Sequence, residues 1–276
     1  MVLIKYMYRY SMLILLLCAF SGTSYGKETI TWLEYDLPPG FIATGPNKGM
    51  GFANQSVNWF QQYMPQWRHV NKQGTIPRLL TMAQTKQLVC SSMLKNKSRE
   101  KDLYFSQPLQ ILSPHRLYFL ARNKAQLEAK LEQSLEQPIS LETVMKHLDE
   151  LVFAIAAGRS YGANRDKILD QYHDKMHVST QYKLSSQFVN RLLAGRVDFI
   201  IEYSWIISYE QAQQGFAKDE LASVAITESA PMIKVYMACS KTPAGKAVIE
   251  AINNIQATHT DNPLQAFVKQ WDNTVN

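Results

Sequence analysis

Apolar residues in the first half of the chain follow two alternating spacings, one typical of strands and one typical of helices. Strand-like runs occur at Thr29–Leu33, Trp67–Asn71 and Leu88–Met93. Helical patterns lie between them, over Gly51–Tyr63 and from Pro77 onward. This β-α-β-α-β order predicts a partly parallel sheet that is covered by helices.

The second half of the chain continues the alternation. Strands are predicted at Leu117–Ala121, Val152–Ala156 and Val197–Ile201, with helices over Asn164–Tyr172 and from Ser185. The closing part is predicted to hold one strand and two helices, at Lys234–Cys239, Ala244–Gln256 and Pro263–Trp271. Because no repeat or low-complexity linker divides the chain, we predict an α/β fold of two lobes joined by strands that cross between them more than once.

The first 26 residues have the pattern of an export signal. Lys5 and Arg9 precede the apolar run Met12–Phe20, and small residues follow at Ser24 and Gly26. As a helix this run rises only about 14 Å, too little for a hydrocarbon core of about 30 Å. We therefore predict a secretory signal peptide over residues 1–26 and a periplasmic protein.

Two other interpretations of this segment are less favoured. A lipid anchor would modify Cys18, but Leu16 and Leu17 stand before it where small residues are expected. A buried first helix is the other alternative.

Composition and charge limit the class of protein. The chain has 276 residues, of which 46% are hydrophobic and 19% charged, which is enough to build a packed core. Its net charge of +6 falls to +4 without Lys5 and Arg9 and is spread along the sequence. Binding of nucleic acid, which favours a concentrated basic face, is therefore not indicated.

Motifs for catalysis or metal binding are weak. The sequence contains no Gly-x-Ser-x-Gly, His-Glu-x-x-His, Walker loop or Cys-x-x-Cys. His173 and His177 have the spacing of one helix face, but Lys175 and the lack of a third ligand favour a solvated helix end. We expect no enzyme activity, no cofactor and no metal site.

The segment Asn96–Pro108 resembles the signature of a known family. Arg99 stands six residues before Phe105, which opens the turn Phe105-Ser106-Gln107-Pro108. This arrangement is similar to that of the family 3 bacterial extracellular solute-binding proteins, which are periplasmic receptors for polar amino acids. Four further landmarks follow the family order, at Gly51-Phe52, Gly158-Arg159-Ser160, Ala194–Asp198 and Val235–Lys241.

The resemblance implies a fold and a function. The fold would be the two-lobed type II periplasmic binding protein architecture, with lobe 1 over 27–114, lobe 2 over 115–228 and a return to lobe 1 over 229–276. The function would be capture of a small carboxylate-bearing solute between the lobes. The partner would be an ABC transporter permease or a membrane sensor.

The resemblance also implies the residues that hold the carboxylate. Arg99 matches the family's anchor, and a guanidinium presents a planar fork that fits a carboxylate through two parallel bonds. The turn of Gly158, Arg159 and Ser160 would offer backbone N–H groups to the same carboxylate. Ser92, on the third strand, is a further candidate for ligand contact.

Several positions depart from the family pattern. Tyr203 stands where the family has the Asp that binds the ligand ammonium, and Leu94 replaces a Thr. Glu202 lies one residue earlier and is expected on the opposite face of its strand. An ordinary α-amino acid is therefore a doubtful ligand. Lys72 replaces a stacking aromatic, and together with Arg99 it would favour a ligand with more than one acidic group.

Aromatic and acidic residues near the first strand are weaker candidates. Tyr35 and Phe41 flank a loop that overhangs the cleft in the family, whereas Trp32 is more typical of a core residue. Glu34 is expected to be a solvated carboxylate.

Cys90 and Cys239 remain as a pair after removal of the signal peptide. The sequence alone slightly favours two separate buried thiols. The resemblance places their strands side by side, and it therefore implies a disulfide between them.

Two other functions stay open. A few relatives of these receptors are dehydratases acting on cyclic carboxylates, and Glu202 projecting into the cleft would favour such an exported enzyme. The chain could alternatively be an envelope protein-interaction module with a vestigial cleft.

Overall fold

The computed structural model describes residues 26–180 and 184–272 and shows two five-stranded sheets. In chain order the strands are β1 (Thr29–Glu34), β2 (Arg68–Gln73), β3 (Val89–Met93), β4 (Leu103–Leu112), β5 (Arg116–Leu120), β6 (Phe153–Ala156), β7 (His177–Ser179), β8 (Phe199–Glu202), β9 (Leu221–Ala225) and β10 (Ile233–Ser240). The first sheet has the order β2-β1-β3-β10-β4 and the second the order β7-β6-β8-β5-β9. Each sheet is the centre of one lobe.

Helices connect and cover the strands. They are α1 (Phe52–Gln62), α2 (Ile76–Gln84), α3 (Lys124–Leu131), α4 (Leu141–Lys146), α5 (Ala163–Gln171), α6 (Leu184–Leu193), α7 (Ser204–Gln214), α8 (Pro243–Thr258) and α9 (Leu264–Lys269). β1 pairs in parallel with both β2 and β3, so α1 and α2 are the crossover helices of the predicted β-α-β-α-β unit.

Local sequence explains where two of these helices begin. The side chain of Thr75 accepts a hydrogen bond from the Arg78 amide at the start of α2, and Pro77 occupies the first turn. Gly51 precedes α1, and a Cβ atom there would lie 2.3 Å from the carbonyl oxygen of Gly40. Glycine is therefore required where α1 packs on the loop that follows β1.

The chain crosses between the lobes twice. It leaves the first sheet through residues 113–115 and returns through residues 226–232. Asp272, the last residue that the structure describes, accepts hydrogen bonds from the Ser113 hydroxyl (2.6 Å) and the Ser113 amide (3.2 Å). These contacts hold the first crossing segment against lobe 1.

Cys90 and Cys239 lie opposite each other on the antiparallel strands β3 and β10. Their Cα atoms are 4.1 Å apart and the two sulfur atoms are joined in a disulfide. Both residues are fully buried, so the returning strand is covalently tied into the middle of the first sheet.

The structure corrects the turn predicted over Phe105–Pro108, because these residues belong to the edge strand β4. Pro108 has no N–H to donate and is tolerated at a sheet edge. The register between β4 and β10 shifts at this point. There the Ser106 hydroxyl accepts a hydrogen bond from the Met237 amide.

The prediction that His173 and His177 share a helix end is wrong. His173 opens a short 3-10 turn over His173–Lys175, whereas His177 begins β7. Over residues 26–180 and 184–272, no three His, Cys, Asp or Glu side chains are grouped to hold a metal ion. The helices of that part of the chain are all too short or too polar to span a bilayer. The predicted export signal falls almost entirely outside the described residues.

Candidate functional site: a cleft between the lobes

A narrow cleft with a free volume of about 50 Å³ lies between the two lobes. Lobe 1 contributes most of its wall, and lobe 2 contributes residues from the turn after β6 and from the end of β8. The lining residues are Tyr35, Asp36, Leu37, Gly40, Phe41, Phe52, Ala53, Ile76, Ser92, Met93, Leu94, Arg99, Leu112, Arg159, Ser160, Tyr203, Trp205 and Val235. In this conformation the lobes are close together, and apolar side chains dominate the wall, as in small-molecule sites.

Arg99 is a buried cation that spans the cleft. Its Nη1 donates to the carbonyl of Leu94 in lobe 1 (2.7 Å), and its Nη2 donates to the carbonyl of Gly158 in lobe 2 (2.8 Å). The side chain lies in a short 3-10 turn, Arg99–Lys101, and Arg99 is only 5% exposed. Burial lowers the pKa of Arg99, while Tyr35 and Asp166 oppose that shift.

A second contact beside Arg99 also joins the lobes. Asn96 of lobe 1 donates from Nδ2 to the carboxylate of Asp166 in lobe 2, at 3.2 Å. The same carboxylate accepts the Ser160 hydroxyl (2.5 Å) and the Tyr161 amide (2.6 Å). Asp166 therefore fixes the turn that precedes α5, and the Ser160 hydroxyl and Tyr161 amide already have a protein partner.

Gly158 allows this close approach of the lobes. Its φ of +70° belongs to the left-handed region, and an added Cβ would lie 3.4 Å from Ile76 and Pro77 of lobe 1. Its carbonyl, rather than its N–H, points to Arg99. The presentation of this turn's N–H groups to a ligand carboxylate stays a prediction.

Arg159 and Glu202 form a buried ion pair at the lobe 2 side of the cleft. The two guanidinium nitrogens Nη1 and Nη2 donate to the two carboxylate oxygens at 2.5 and 2.7 Å. The Arg159 side chain is 6% exposed and that of Glu202 is 0% exposed. Burial disfavours the Arg159 cation, but Glu202 outweighs that effect and raises the pKa of Arg159. Each charge is neutralised by the other.

Five aromatic rings form a column along the base of the cleft, from α1 in lobe 1 to the turn before α5 in lobe 2. We call Phe52, Trp205, Tyr203, His115 and Tyr161 the aromatic column. Successive ring centroids are 5.2, 4.5, 3.8 and 5.5 Å apart. The rings of Tyr203 and His115 stack, as do those of Tyr203 and Trp205. Where the family has the Asp that binds the ligand ammonium, this chain therefore has the ring of Tyr203, which stacks between two other rings.

His115 of the column lies in the first crossing segment and is 1% exposed. Within the described residues neither ring nitrogen has a hydrogen-bond partner. Burial, with the nearby cations Arg159 and Arg165, lowers the pKa of His115 well below its usual value. The imidazole is therefore neutral in the folded protein at neutral pH.

Tyr35, Phe41 and Ser92 lie on the lobe 1 wall, as predicted from the resemblance. The Tyr35 hydroxyl donates to the Ser92 carbonyl at 2.6 Å, and the Tyr35 ring meets the Phe41 ring edge to face at 5.2 Å. Burial raises the pKa of the Tyr35 hydroxyl, so this residue acts as a neutral donor.

Three predicted or considered residues lie away from the cleft. Lys72 is exposed on the edge strand β2 and does not line the cleft. Trp32 is a fully buried core residue whose indole N–H donates to His69. Glu34 accepts a hydrogen bond from Asn71, at the same sheet edge. The structure therefore brings no second cation from Lys72 to Arg99.

Sequence reasoning missed much of the apolar wall. Trp205 and Leu112 line the cleft although no motif marked them, and Val235 lines it although it belongs to a landmark that indicates only the returning strand. The sequence marks Phe52 as part of a landmark at a helix start, but it does not indicate that the Phe52 ring meets Trp205 across the lobes. Runs of apolar residues indicate burial, but they do not distinguish a core position from a cleft wall.

Comparison with known proteins identifies the fold. No family model matches the chain, and no curated protein matches it in sequence. Solved structures do match, with the architecture of periplasmic binding proteins. A histidine kinase sensor domain with similarity to periplasmic binding proteins is 12% identical, with a TM-score of 0.65 over 88% of this chain and 95% of that one.

Two further structures share the fold. A Listeria monocytogenes protein described as an L-cystine ABC transporter is 19% identical, with a TM-score of 0.63 over 90% of this chain and 97% of the other. An ancestral arginine-binding protein bound to arginine is 16% identical, with a TM-score of 0.60 over 89% and 98%. The chain therefore has the two-lobed fold of periplasmic binding proteins.

Proposed function

We propose that this protein is a periplasmic solute-binding protein, related to the family 3 receptors, that captures a small carboxylate-bearing solute between its lobes. The observation that carries the proposal is Arg99, a buried guanidinium in the cleft whose hydrogen bonds within the described residues go to two carbonyl groups. A buried cation with no anionic partner is costly, and a bound carboxylate would supply that partner.

The geometry of Arg99 suits such a ligand. A guanidinium has five N–H groups, and the two bonds to Leu94 and Gly158 leave three of them for another acceptor. The same side chain already bridges the lobes, so a ligand bound to it would contact both. A ligand shifts the balance between open and closed lobes only when it binds the closed form more tightly.

The compartment and the partner follow from the same proposal. The N-terminal segment has the pattern of an export signal, and the similar structures include an ABC transporter protein and a kinase sensor domain. We propose that this protein delivers its ligand to an ABC transporter or reports it to a membrane sensor. A function without catalysis is part of this proposal.

An enzyme on the same fold is not favoured by any contact in the cleft. The hypothesis of an exported enzyme required the carboxylate of Glu202 to project into the cleft. That carboxylate is completely buried and both of its oxygens are bonded to Arg159. It is therefore not positioned to exchange a proton with a ligand.

Thermal unfolding of the purified, exported protein against a ligand library tests the proposal. The library should hold organic acids, amino acids, short peptides and their amides. A ligand present at about 100 times its Kd stabilises the folded state by about 2.7 kcal/mol. We expect a carboxylate to raise the Tm of the wild-type protein and to have no effect on Arg99→Ala.

Arg78→Ala is the matched control, since Arg78 is exposed on α2 outside the cleft. It should keep the full ligand-induced shift. A carboxylate that stabilises Arg99→Ala as well as the wild type would contradict the role of Arg99. If no small molecule changes the Tm, the solute-binding function itself is wrong.

A further inference from the structure

The chemical class of the ligand can be inferred from how charges are distributed around the cleft, and this inference rests on the proposed function. Two guanidinium groups, Arg99 and Arg159, line the cleft. The buried carboxylate nearest to Arg159 is Glu202, and both of its oxygens accept bonds from Arg159. After this neutralisation the charges left on the cleft wall are the cation of Arg99 and, in lobe 1, the carboxylate of Asp36.

A ligand ammonium would find no suitable partner at the lobe 2 side of the cleft. Besides Arg159, Glu202 also accepts the Tyr203 amide at 3.2 Å, so its two oxygens together accept three bonds from inside the lobe. Asp166 accepts bonds from Ser160, Tyr161 and Asn96, and it lines a separate cavity beside Arg99 rather than the cleft. Burying an ammonium without a hydrogen-bonding anion would cost several kcal/mol.

The body of the ligand would meet an apolar surface. Phe41, Phe52 and Trp205 present aromatic rings to the cleft, and Leu94, Leu112 and Val235 present aliphatic groups. Such walls favour an apolar or aromatic body by burial of surface area and by ring contacts. Polar groups on the body would lose their water wherever they face this apolar part of the wall.

We infer that the cleft binds an organic monocarboxylate with an apolar or aromatic body and no ammonium group. Arg99 binds the carboxylate, and the pairing of Arg159 with Glu202 excludes amino acids by withdrawing the carboxylate that could bind their ammonium. Arg159 is thereby a residue that determines specificity without holding the ligand's carboxylate.

Matched pairs of ligands test this inference by titration calorimetry on the purified wild-type protein. The pairs are 3-phenylpropionate with phenylalanine and 4-methylpentanoate with leucine, which differ only in the ammonium group. 3-Phenylpropanamide is the control that lacks the carboxylate. We expect the acid of at least one pair to bind at least tenfold more tightly than its amino acid, and the amide not to bind.

A pair of variants tests the role of the ion pair. Arg159→Gln releases the Glu202 carboxylate, and the preference for the acid over the amino acid should fall at least tenfold. Arg165→Gln removes another buried guanidinium of lobe 2, which donates to the Tyr161 carbonyl and to Ser229 and does not line the cleft. It should leave the preference unchanged. If Arg159→Gln does not fold, the wild-type titrations decide alone.

The outcomes separate this inference from the proposed function. Tighter binding of phenylalanine or leucine than of their acids would overturn the inference and leave a solute-binding protein. Asp36, the acidic residue on the lobe 1 wall, would then be the ammonium partner, and Asp36→Asn would abolish that binding. Absence of binding by every acid, amino acid and peptide would overturn both.

Discussion

At the scale of single residues, the two guanidinium groups in the cleft differ because their partners differ. Arg159 is neutralised by the carboxylate of Glu202, so it belongs to the internal structure of lobe 2. Arg99 is bonded to carbonyl oxygens, so its positive charge can pair with an anionic ligand. A buried charge is stable only when it is paired, so the first arginine is already satisfied within the fold and the second makes a site.

Removing one member of the Arg159–Glu202 pair should destabilise the protein strongly. Arg159→Met or Glu202→Gln leaves a buried charge without its partner, which costs about 3–5 kcal/mol of unfolding free energy. The double variant Arg159→Met/Glu202→Leu removes both charges and should come within about 1 kcal/mol of the wild type or exceed it. Urea unfolding of all four proteins gives the values, and single variants as stable as the wild type would contradict the pairing.

The candidate residues were predictable to the extent that a motif fixed their position. Arg99, Tyr35 and Phe41 lie on the cleft wall because they stand at fixed places around β1, β3 and the 3-10 turn. Lys72 lies away from the cleft, because it belongs to the edge strand β2, and no motif in the sequence fixes that position. The partner of Glu202 was not predictable, because a contact between positions 159 and 202 depends on the tertiary fold.

At the scale of elements, β3 and β10 are the central connection between the first part of the chain and its return. Their antiparallel pairing places Cys90 opposite Cys239, 149 residues apart in sequence. A cross-link over so long a loop reduces the entropy of the unfolded chain.

The disulfide should therefore contribute about 2–5 kcal/mol to the free energy of unfolding. The variant Cys90→Ala/Cys239→Ala should lose that amount in urea unfolding while keeping the fold. Mass spectrometry of the unreduced protein should find no free thiol at either position. Two alkylated cysteines in the native sample would show that the bond does not form.

Elements with strong apolar patterns were predicted within a few residues, whereas several others had no predicted counterpart, among them β4 and α7. β4 exposes Gln107 and Pro108, because it lies at a sheet edge and bulges there. α7 had no predicted counterpart, since Trp205 and Ile206 at its start pack among residues of lobe 1 rather than along one stripe. Both errors arise where packing, rather than periodicity, decides the structure.

The first crossing segment should make stability depend on pH through His115. Its pKa is well below 6.5 in the folded protein, whereas the unfolded chain has the usual value. As pH falls below 6.5, His115 binds a proton in the unfolded state but not in the folded state. Stability is therefore lost with a limiting slope of about 1.4 kcal/mol per pH unit until the folded pKa is reached.

Replacing the imidazole tests this dependence. His115→Asn should reduce the difference in unfolding free energy between pH 7.5 and pH 5 by about 1–2 kcal/mol. His173→Asn, at an exposed position, is the control and should follow the wild type. Parallel pH profiles for His115→Asn and the wild type would show that His115 is not buried as a neutral ring.

At the scale of the whole molecule, the two lobes meet through a small set of contacts. Phe52 packs on Trp205 in the aromatic column, Arg99 bonds to Gly158, and Asn96 bonds to Asp166. The two-lobed architecture followed from the order of elements in the sequence. The closeness of the lobes did not, because it depends on a few polar contacts between distant residues.

Hydrogen–deuterium exchange with and without a stabilising carboxylate tests the central claim most directly. A solute held by Arg99 between the lobes should slow amide exchange both in residues 92–99 of lobe 1 and in residues 158–162 of lobe 2. Exchange in β2, at the far edge of the first sheet, should not change. Protection confined to one lobe, or protection that persists in Arg99→Ala, would contradict the binding of a solute between the lobes.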